Sequence, residues 1–315
     1  MTYSQRHGFL TTNFLPSVPN REKIKVRAFF VWHWNALRTV CEACIADEEI
    51  DLLIITEKVE DKDRFIKYGY ACVSNDEYDV SEDKPDVFFI NYFQGAVNIR
   101  GDVRKHSRVI IVASQTLVPY QSTVREYAGD GFNTFIRLVE QNWGYYEPDF
   151  YFFDSYMYNH FKSLDFFKDK SILEKGNPKY DGIYRACNYI KSVDGWDKLD
   201  GQKVICRAAD HGTWAEGLGD YISFDVYAKT IFEYMQSHPN MAMIFRPHHL
   251  LIFELMNNFW TAEDMNCFRK YCAESPNVVF DENDSYDKAF AMSDAIITDI
   301  DCGIRMSALP MMKPL

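Results

Sequence analysis

The chain has 315 residues and a formal net charge of −12, and 47% of its residues are hydrophobic. This length is enough for two domains of roughly 150 residues each, and the composition is that of an ordinary folded protein. The net negative charge excludes a general electrostatic affinity for nucleic acid or anionic lipid.

Residues 1–22 form a polar lead-in without the charged-then-apolar pattern of a secretory leader, and no apolar run reaches the roughly 18 residues of a membrane span. We therefore expect a cytoplasmic protein whose membrane contact, if any, is peripheral at the inner face of the plasma membrane. Cys41 and Cys44 form a CxxC pair with no second pair, inside an apparently amphipathic helix. This pattern favours buried free thiols over a zinc or redox site, and we expect no metal and no cofactor.

The first predicted domain covers residues 23–175. Short apolar runs typical of strands recur along it, separated by polar or helical stretches: "KVRAFFVW", "IDLLIIT", "YACVS", "PDVFFIN", "RVIIVAS" and "DFYFFDS". The stretch "NALRTVCEACIADEE" after the first run has apolar residues at helical spacing. This alternation predicts an α/β domain with a mainly parallel sheet that helices cover on both faces.

The stretch "KGNPKYDGIY" contains two glycines and a proline, which predicts an interdomain connection over residues 176–185. A second alternation over residues 186–315 predicts another α/β domain, with strands at "KVICRAA", "MAMIFRP", "NVVFDE" and "AIITDI". Neither a GxGxxG after the first strand nor a GxxxxGK[ST] loop is present, so the common dinucleotide and ATP signals are absent.

Polar residues follow three predicted strands of the second domain. The candidates are His211, Gly212 and Thr213 after the first strand, Arg246, His248 and His249 after the second, and Thr298, Asp299, Asp301 and Gly303 at the end of the last. Because open parallel sheets bind ligands at the carboxyl ends of their strands, we expect these groups to share one crevice. Arginine beside imidazoles suits a ligand that carries phosphate.

These motifs resemble those of bacterial CDP-glycerol glycerophosphotransferase-like proteins, which are related to teichoic acid and capsule polymer enzymes. "FRPHHLL" is similar to the family's Lys/Arg-Pro-His-Pro element, and "SDAIITDIDCG" to its Ser-Asp-apolar-Ile-Thr-Asp element. "GNPKYDGIY", "KPDVFFINY" and "VPYQ" resemble further elements, so the resemblance runs from about residue 23 to the end. It implies a GT-B architecture, with two Rossmann-like domains facing across a cleft. The family continues beyond the point that "MMKPL" matches, so we expect the second domain to be incomplete at its end.

The resemblance implies transfer of a glycerol-phosphate or similar polyol-phosphate group from a CDP-activated donor to an acceptor hydroxyl. The acceptor would be a polysaccharide or a lipid-linked chain, and the product a cell-surface polymer. His248 and His211 are the expected catalytic residues. The expected donor-binding residues are Arg246, His249, Thr298, Asp299, Asp301, Gly303, Gly212 and Thr213. Strand alternation turns His249 away from His248, and Arg246 and Asp299 have structural alternatives as an ion-pair partner and a loop or cap residue.

The sequence also departs from the family pattern. Ser114, Gln115 and Thr116 stand where members active on teichoic acid carry a His-Gly pair, and Asp301 and Cys302 replace a serine pair. His33, at another strand end, is a candidate first-domain base, although packing against Trp32 and Trp34 is favoured. Two alternatives stay open: a GT-B glycosyltransferase that uses a nucleotide sugar, and a non-catalytic nucleotide-binding relative.

Overall fold

Two parallel sheets account for the apolar runs of the sequence. A computed structural model describes residues 23–30, 34–91, 99, 101–112, 131–153, 155–209, 223–283 and 285–298. These residues belong to two compact units: the first contains the described residues up to 112 and Thr134–Lys179, and the second contains residues 131–133 and the described residues from Tyr180 onward. Each unit is an α/β unit with its own parallel sheet, which confirms the predicted fold class.

The sheet of the first unit has seven strands among the described residues, all paired in parallel. In chain order they are β1 Ile24–Phe30, β2 Ile50–Thr56, β3 Cys72–Ser74, β4 Val87–Ile90, β5 Arg108–Val112, β6 Phe150–Phe153 and β7 Ile172–Glu174. Their spatial order is β3-β2-β1-β4-β5-β6-β7. The helices are α1 Trp34–Ile45, α2 Val59–Lys67, α3 Val80–Asp83, α4 Val103–His106, α5 Gly131–Tyr146 and α6 Ser155–Ser163.

Helix α1 packs one face against this sheet. Leu37, Cys41 and Cys44 are buried at intervals of four and three residues and join the core cluster of β1 and β2. Both cysteines are buried and free of disulfides. Burial raises the pKa of Cys41 and raises that of Cys44 to about 12, so neither thiol ionises readily at neutral pH.

A buried ion-pair network stabilises the first unit. Arg27, in the middle of β1, is 4% exposed and donates from Nη2 to Asp83 Oδ1 at 3.0 Å and to Asp51 Oδ2 at 3.1 Å. The Tyr78 hydroxyl donates to Asp83 Oδ2 at 3.0 Å. Burial acts to raise the pKa of the Asp83 carboxyl, but the hydrogen bonds and charge of Arg27 outweigh it and lower that pKa below its ordinary value. The network therefore neutralises a buried guanidinium with two carboxylates.

The sheet of the second unit has four described strands: β8 Lys203–Ala208, β9 Met241–Phe245, β10 Val278–Phe280 and β11 Ala295–Thr298. Their order is β10-β9-β8-β11, and all three pairings are parallel. The helices are α7 Pro178–Tyr189, α8 Ser223–Ser237, α9 His249–Asn258, α10 Ala262–Glu274 and α11 Asp287–Met292. Helix α10 begins with a capping box between Thr261 and Asp264.

Two core clusters cover the two faces of this second sheet. On one face, Ile183 of α7 and Phe290 of α11 pack with Trp196 against Val204 and Cys206 of β8. On the other face, side chains of α8, α9 and α10 pack around Met243 and Phe245 of β9; they are Phe224, Met235, Leu251, Leu255 and Cys272. With both faces covered, the carboxyl edge of the strands is the natural place for a ligand.

Among the residues that the structure describes, no helix is both long and apolar enough to cross a membrane.

Candidate functional site

The turn between β9 and α9 carries the Arg246-Pro247-His248 sequence. Strand β9 ends at Phe245, and α9 begins at His249. The Arg246 N–H donates to the Arg207 carbonyl at 2.9 Å, and the His248 N–H donates to the Ala209 carbonyl at 2.7 Å. These two hydrogen bonds tie the turn to β8, so His248 lies at the carboxyl edge of the sheet, where the sequence predicts it.

The start of α9 removes the strand-alternation argument for distinguishing His248 from His249. His248 directly precedes the helix, and its carbonyl accepts a hydrogen bond from the Leu251 N–H at 2.9 Å. His249 is the first helical residue. Alternation along an extended strand therefore does not apply here. The distinction then rests on the similarity to the Lys/Arg-Pro-His-Pro element, in which only His248 matches a histidine.

Arg246 is held in an ion pair with a buried carboxylate. Its Nη1 lies 2.6 Å from Asp281 Oδ2, with the Arg246 side chain 11% exposed and that of Asp281 0% exposed. Its Nη2 donates to the Asn283 carbonyl at 2.9 Å, and the guanidinium lies 5.9 Å from the centre of the Tyr286 ring. The structural ion pair expected as the alternative for Arg246 is thus present. A contact with a ligand through its remaining donor positions stays a prediction.

Asp281 is not among the site residues that the sequence motifs predict. It follows β10 directly, and its N–H donates to the Phe245 carbonyl at 2.9 Å. Its Oδ1 accepts from the Asn283 N–H at 3.1 Å, so the carboxylate both orders the segment after β10 and balances Arg246. A signal was available, because "VVFDEN" places an acidic residue at a strand end like those of the other candidates.

Arg207 is a second residue that the sequence analysis missed. It lies on β8, is 3% exposed, and donates from Nη1 to the Ala208 carbonyl at 2.9 Å and the Ile297 carbonyl at 3.3 Å. Its signal was a charged residue inside the apolar run "VICRAA". Buried charges need compensating partners, and they are therefore informative wherever they occur.

Thr298 is the last residue of β11 and pairs in register with Ala208. This pairing places the end of β11 beside the end of β8, and Thr298 is half-buried there. Because β9, β8 and β11 are consecutive in the sheet, the three strands that precede the predicted site residues are neighbours. The remaining candidates lie outside the described residues; they are His33, His211, Gly212, Thr213, Asp299, Asp301, Gly303 and residues 114–116.

The part of the chain that the structure describes contains no group of three or more His, Cys, Asp or Glu side chains that could hold a metal ion.

The architecture is similar to that of solved enzymes with the GT-B fold. S. aureus MnaA, in a structure with UDP, matches with a TM-score of 0.58 and 14% identity, over 92% of this chain and 78% of that one. The wall teichoic acid polymerase TagF, in a variant soaked with CDPG, also matches with a TM-score of 0.58 and 14% identity, over 93% of this chain and 69% of that one. This chain has a GT-B fold.

A third similar structure is the Methanocaldococcus jannaschii UDP-GlcNAc 2-epimerase in complex with UDP-GlcNAc and UDP. It has a TM-score of 0.55 and 15% identity, over 92% of this chain and 83% of that one. No protein-family model and no curated protein matches the sequence. At these identities the likeness establishes the fold, and the reaction has to be argued from the site.

Proposed function

We propose that this chain is a transferase that moves a glycerol-phosphate or similar polyol-phosphate group from a CDP-activated donor to an acceptor hydroxyl. The product would be a cell-surface polysaccharide or a teichoic-acid-like polymer. The observation that carries the proposal is the β9–α9 turn, where His248 is hydrogen-bonded to β8 at the carboxyl edge of a parallel sheet. Two further facts support it, the GT-B fold and the order of the family-like motifs along the sequence.

The proposed chemistry is substitution at the donor phosphorus that carries the polyol. The acceptor oxygen forms a bond to this phosphorus while the phosphorus–oxygen bond to CMP breaks, so CMP leaves with the bridging oxygen. The hydroxyl proton passes to a histidine, for which His248 and His211 are the candidates. Backbone amides of the Gly212 and Gly303 segments are proposed to stabilise the charge on the phosphoryl oxygens.

Arg246 is proposed to support this site mainly by fixing the turn. Its guanidinium is tied to Asp281, and its N–H is tied to β8, on the opposite side of β9. His248 therefore lies directly before a helix, in a turn anchored to both neighbouring strands. Ligand contacts are proposed for the remaining candidate donor-binding residues; they are Thr213, His249, Thr298, Asp299 and Asp301.

A nucleotide sugar is the second candidate donor. MnaA with UDP and TagF soaked with CDPG match this chain with the same TM-score of 0.58, so the fold favours neither ligand. Attack would then occur at an anomeric carbon and release UDP or a related nucleotide. The departures at Ser114, Asp301 and Cys302 favour a third candidate, a nucleotide-binding relative that has lost catalysis.

Donor screening separates these candidates. The full chain is incubated with CDP-polyols and nucleotide sugars, with and without polyol-phosphate oligomers as acceptors, and the released CMP, UMP or UDP is measured. CMP release that needs both a CDP-polyol and the acceptor supports the proposal. UDP release from a nucleotide sugar supports the second candidate, and nucleotide binding without turnover of any donor supports the third.

A further inference from the structure

Asp281 is a buried carboxylate beside the turn that carries His248. Its side chain is 0% exposed, and its Oδ2 lies 2.6 Å from Arg246 Nη1. Removing a carboxylate and a guanidinium from water costs free energy that their mutual attraction only partly returns. Two apolar side chains of similar size could fill the same space without that cost. An ion pair at this position therefore calls for an explanation beyond stability.

The Asp281 carboxylate holds two chain segments together. Through Oδ2 it binds the Arg246 guanidinium, whose Nη2 also donates to the Asn283 carbonyl at 2.9 Å. Through Oδ1 it accepts from the Asn283 N–H at 3.1 Å and from the Asn283 side-chain amide. The Asp281 N–H donates to the Phe245 carbonyl at 2.9 Å. These contacts close a ring between the segment after β9 and the segment after β10.

The ring of contacts lies directly before His248 in the chain. Only Pro247 separates Arg246 from His248, and its ring restricts the backbone between them. The N–H groups of Arg246 and His248 donate to carbonyls at the end of β8. A displacement of Arg246 is therefore passed on to His248, because the intervening residue cannot rotate freely to absorb it.

We propose that Asp281 is a positioning residue for His248. It acts through the Arg246 guanidinium and holds the turn in the geometry that proton transfer by His248 requires. The inference rests on the proposed function, because it takes His248 to be catalytic, but the effect of Asp281 on the position of His248 can be measured without any substrate. The competing explanation is that the ion pair only balances charge and stabilises the second unit.

Three variants of the full chain distinguish these explanations. Asp281→Asn keeps the shape of the side chain and removes its charge. Glu282→Gln is the matched control, because it makes the same change at the next residue, whose side chain is 45% exposed and pairs with Arg269. Arg246→Met/Asp281→Asn removes both charges, so the net charge is that of the wild type and neither charge stays buried without a partner.

We expect Asp281→Asn to lower kcat for nucleotide release about 10- to 100-fold, since small displacements of a catalytic group have effects of this size. Calorimetric affinities for CMP and CDP should change less than about threefold, because positioning acts on the reacting step and not on binding. The double variant should be more stable than Asp281→Asn and keep its low kcat, and Glu282→Gln should match the wild type.

Two kinetic results would overturn the proposal. Recovery of kcat in the double variant, in step with its stability, would favour charge balance as the role of Asp281. A low kcat in the double variant that comes with an equal loss of CDP affinity would mean that Arg246 contacts the ligand.

The surroundings of His248 can also be observed directly by NMR. Labelling with ¹³C at Cε1 gives one signal for each of the eight histidines, and single His→Gln variants identify those of His248 and His238. At pH about 9, where histidine is ordinarily neutral, the His248 signal should shift in Asp281→Asn and in the double variant. The His238 signal should stay unchanged, because this residue follows α8 and its ring stacks on Tyr234.

The NMR signal keeps the inference testable in every case. If circular dichroism shows that Asp281→Asn does not fold, the double variant decides, and an unchanged His248 signal there refutes the proposal. If the wild type turns over no donor, the proposed function fails, and the His248 signal alone decides whether Asp281 positions this residue. Turnover by the wild type with an unchanged kcat in Asp281→Asn refutes the role of Asp281 and leaves the proposed function intact.

Discussion

The ion pair between Arg246 and Asp281 gives a quantitative prediction about the second unit. Asp281→Asn keeps the size of the side chain but removes its negative charge, and it leaves a guanidinium that is 11% exposed facing a neutral amide. Breaking one side of a buried ion pair costs about 3–5 kcal/mol, because the remaining charge is buried without compensation. Arg246→Met should cost a similar amount, since the Asp281 carboxylate is 0% exposed and loses its cation.

The double variant Arg246→Met/Asp281→Asn is the informative member of the series. It leaves neither charge uncompensated, so its loss of stability should be well below the sum of the two single losses. We expect a coupling energy of at least about 2 kcal/mol between the two positions. The segment after β10 still loses part of its order, because the Asp281 carboxylate also accepts a hydrogen bond from the Asn283 N–H.

Hydrogen exchange in increasing urea, followed by mass spectrometry of peptides covering 241–245 and 278–283, reports the opening free energy of β9 and β10. The exposed pair of Arg269 with Glu282 serves as the control, with side chains 48% and 45% exposed. Arg269→Met should change the opening free energy by less than about 1 kcal/mol. If the loss of opening free energy in the double variant equals the sum of the two single losses within about 0.5 kcal/mol, the ion-pair reasoning is refuted.

Three further predictions concern catalysis, acid stability and thiol reactivity. His248→Ala should lower nucleotide release at least about 100-fold with folding intact, whereas His249→Ala should stay within about tenfold; similar losses in both would contradict the assignment. The pKa of Asp83 is lower in the folded protein than its unfolded value of about 3.9. The ionised carboxylate therefore stabilises the fold above that unfolded pKa, and this stabilisation is lost as the pH falls through the folded pKa. Acid unfolding of Asp83→Asn, followed by circular dichroism, should consequently depend less on pH than acid unfolding of the wild type. Iodoacetamide should label the exposed Cys267 in the native protein. It should label Cys44, whose pKa is raised to about 12, only after unfolding. Labelling of Cys44 in the native protein would show that α1 opens readily.

The parallel sheets could be predicted because each strand is a short apolar run of consecutive residues. The run "KVRAFFVW" contains β1 at Ile24–Phe30, and "AIITDI" contains β11 at Ala295–Thr298. Strands buried on both faces are continuous apolar runs, and the helical stretches between them predict parallel pairing. The order of the strands in the sheet, by contrast, depends on contacts between distant residues and could not be read from these runs.

Helix α9 was missed although its signals were present. Leu251 and Leu255 are four residues apart and both are buried, and Pro247 lies just before the first helical residue. Proline near a helix start and apolar residues at a spacing of four are typical of a helix N-terminus. The polar "RPHH" sequence was interpreted only as a strand end, and the apolar residues that follow it were therefore not assigned to an element.

The contacts of the two arginines show why the site could be predicted only in part. Arg246 and Asp281 are 35 residues apart in sequence and meet because β10 lies beside β9. Arg207 reaches the Ile297 carbonyl, 90 residues away, because β11 lies beside β8. The sequence indicated which strand ends carry charged or polar residues. It did not indicate which charges neutralise one another, because that depends on the order of the strands.

The same strand order explains how one short turn can hold His248 in place. The Arg246 side chain is bound to Asp281 after β10, while the N–H groups of Arg246 and His248 are bound to carbonyls at the end of β8. Pro247, between them, restricts the backbone further. The turn is therefore anchored to both neighbours of β9 by contacts within the protein. For the catalytic role proposed for His248, a main-chain position fixed in this way would avoid the reorganisation cost that a mobile loop incurs at the moment of reaction. For this reason, loss of the Asp281 anchor should affect turnover through the position of His248 even where nucleotide affinity is retained.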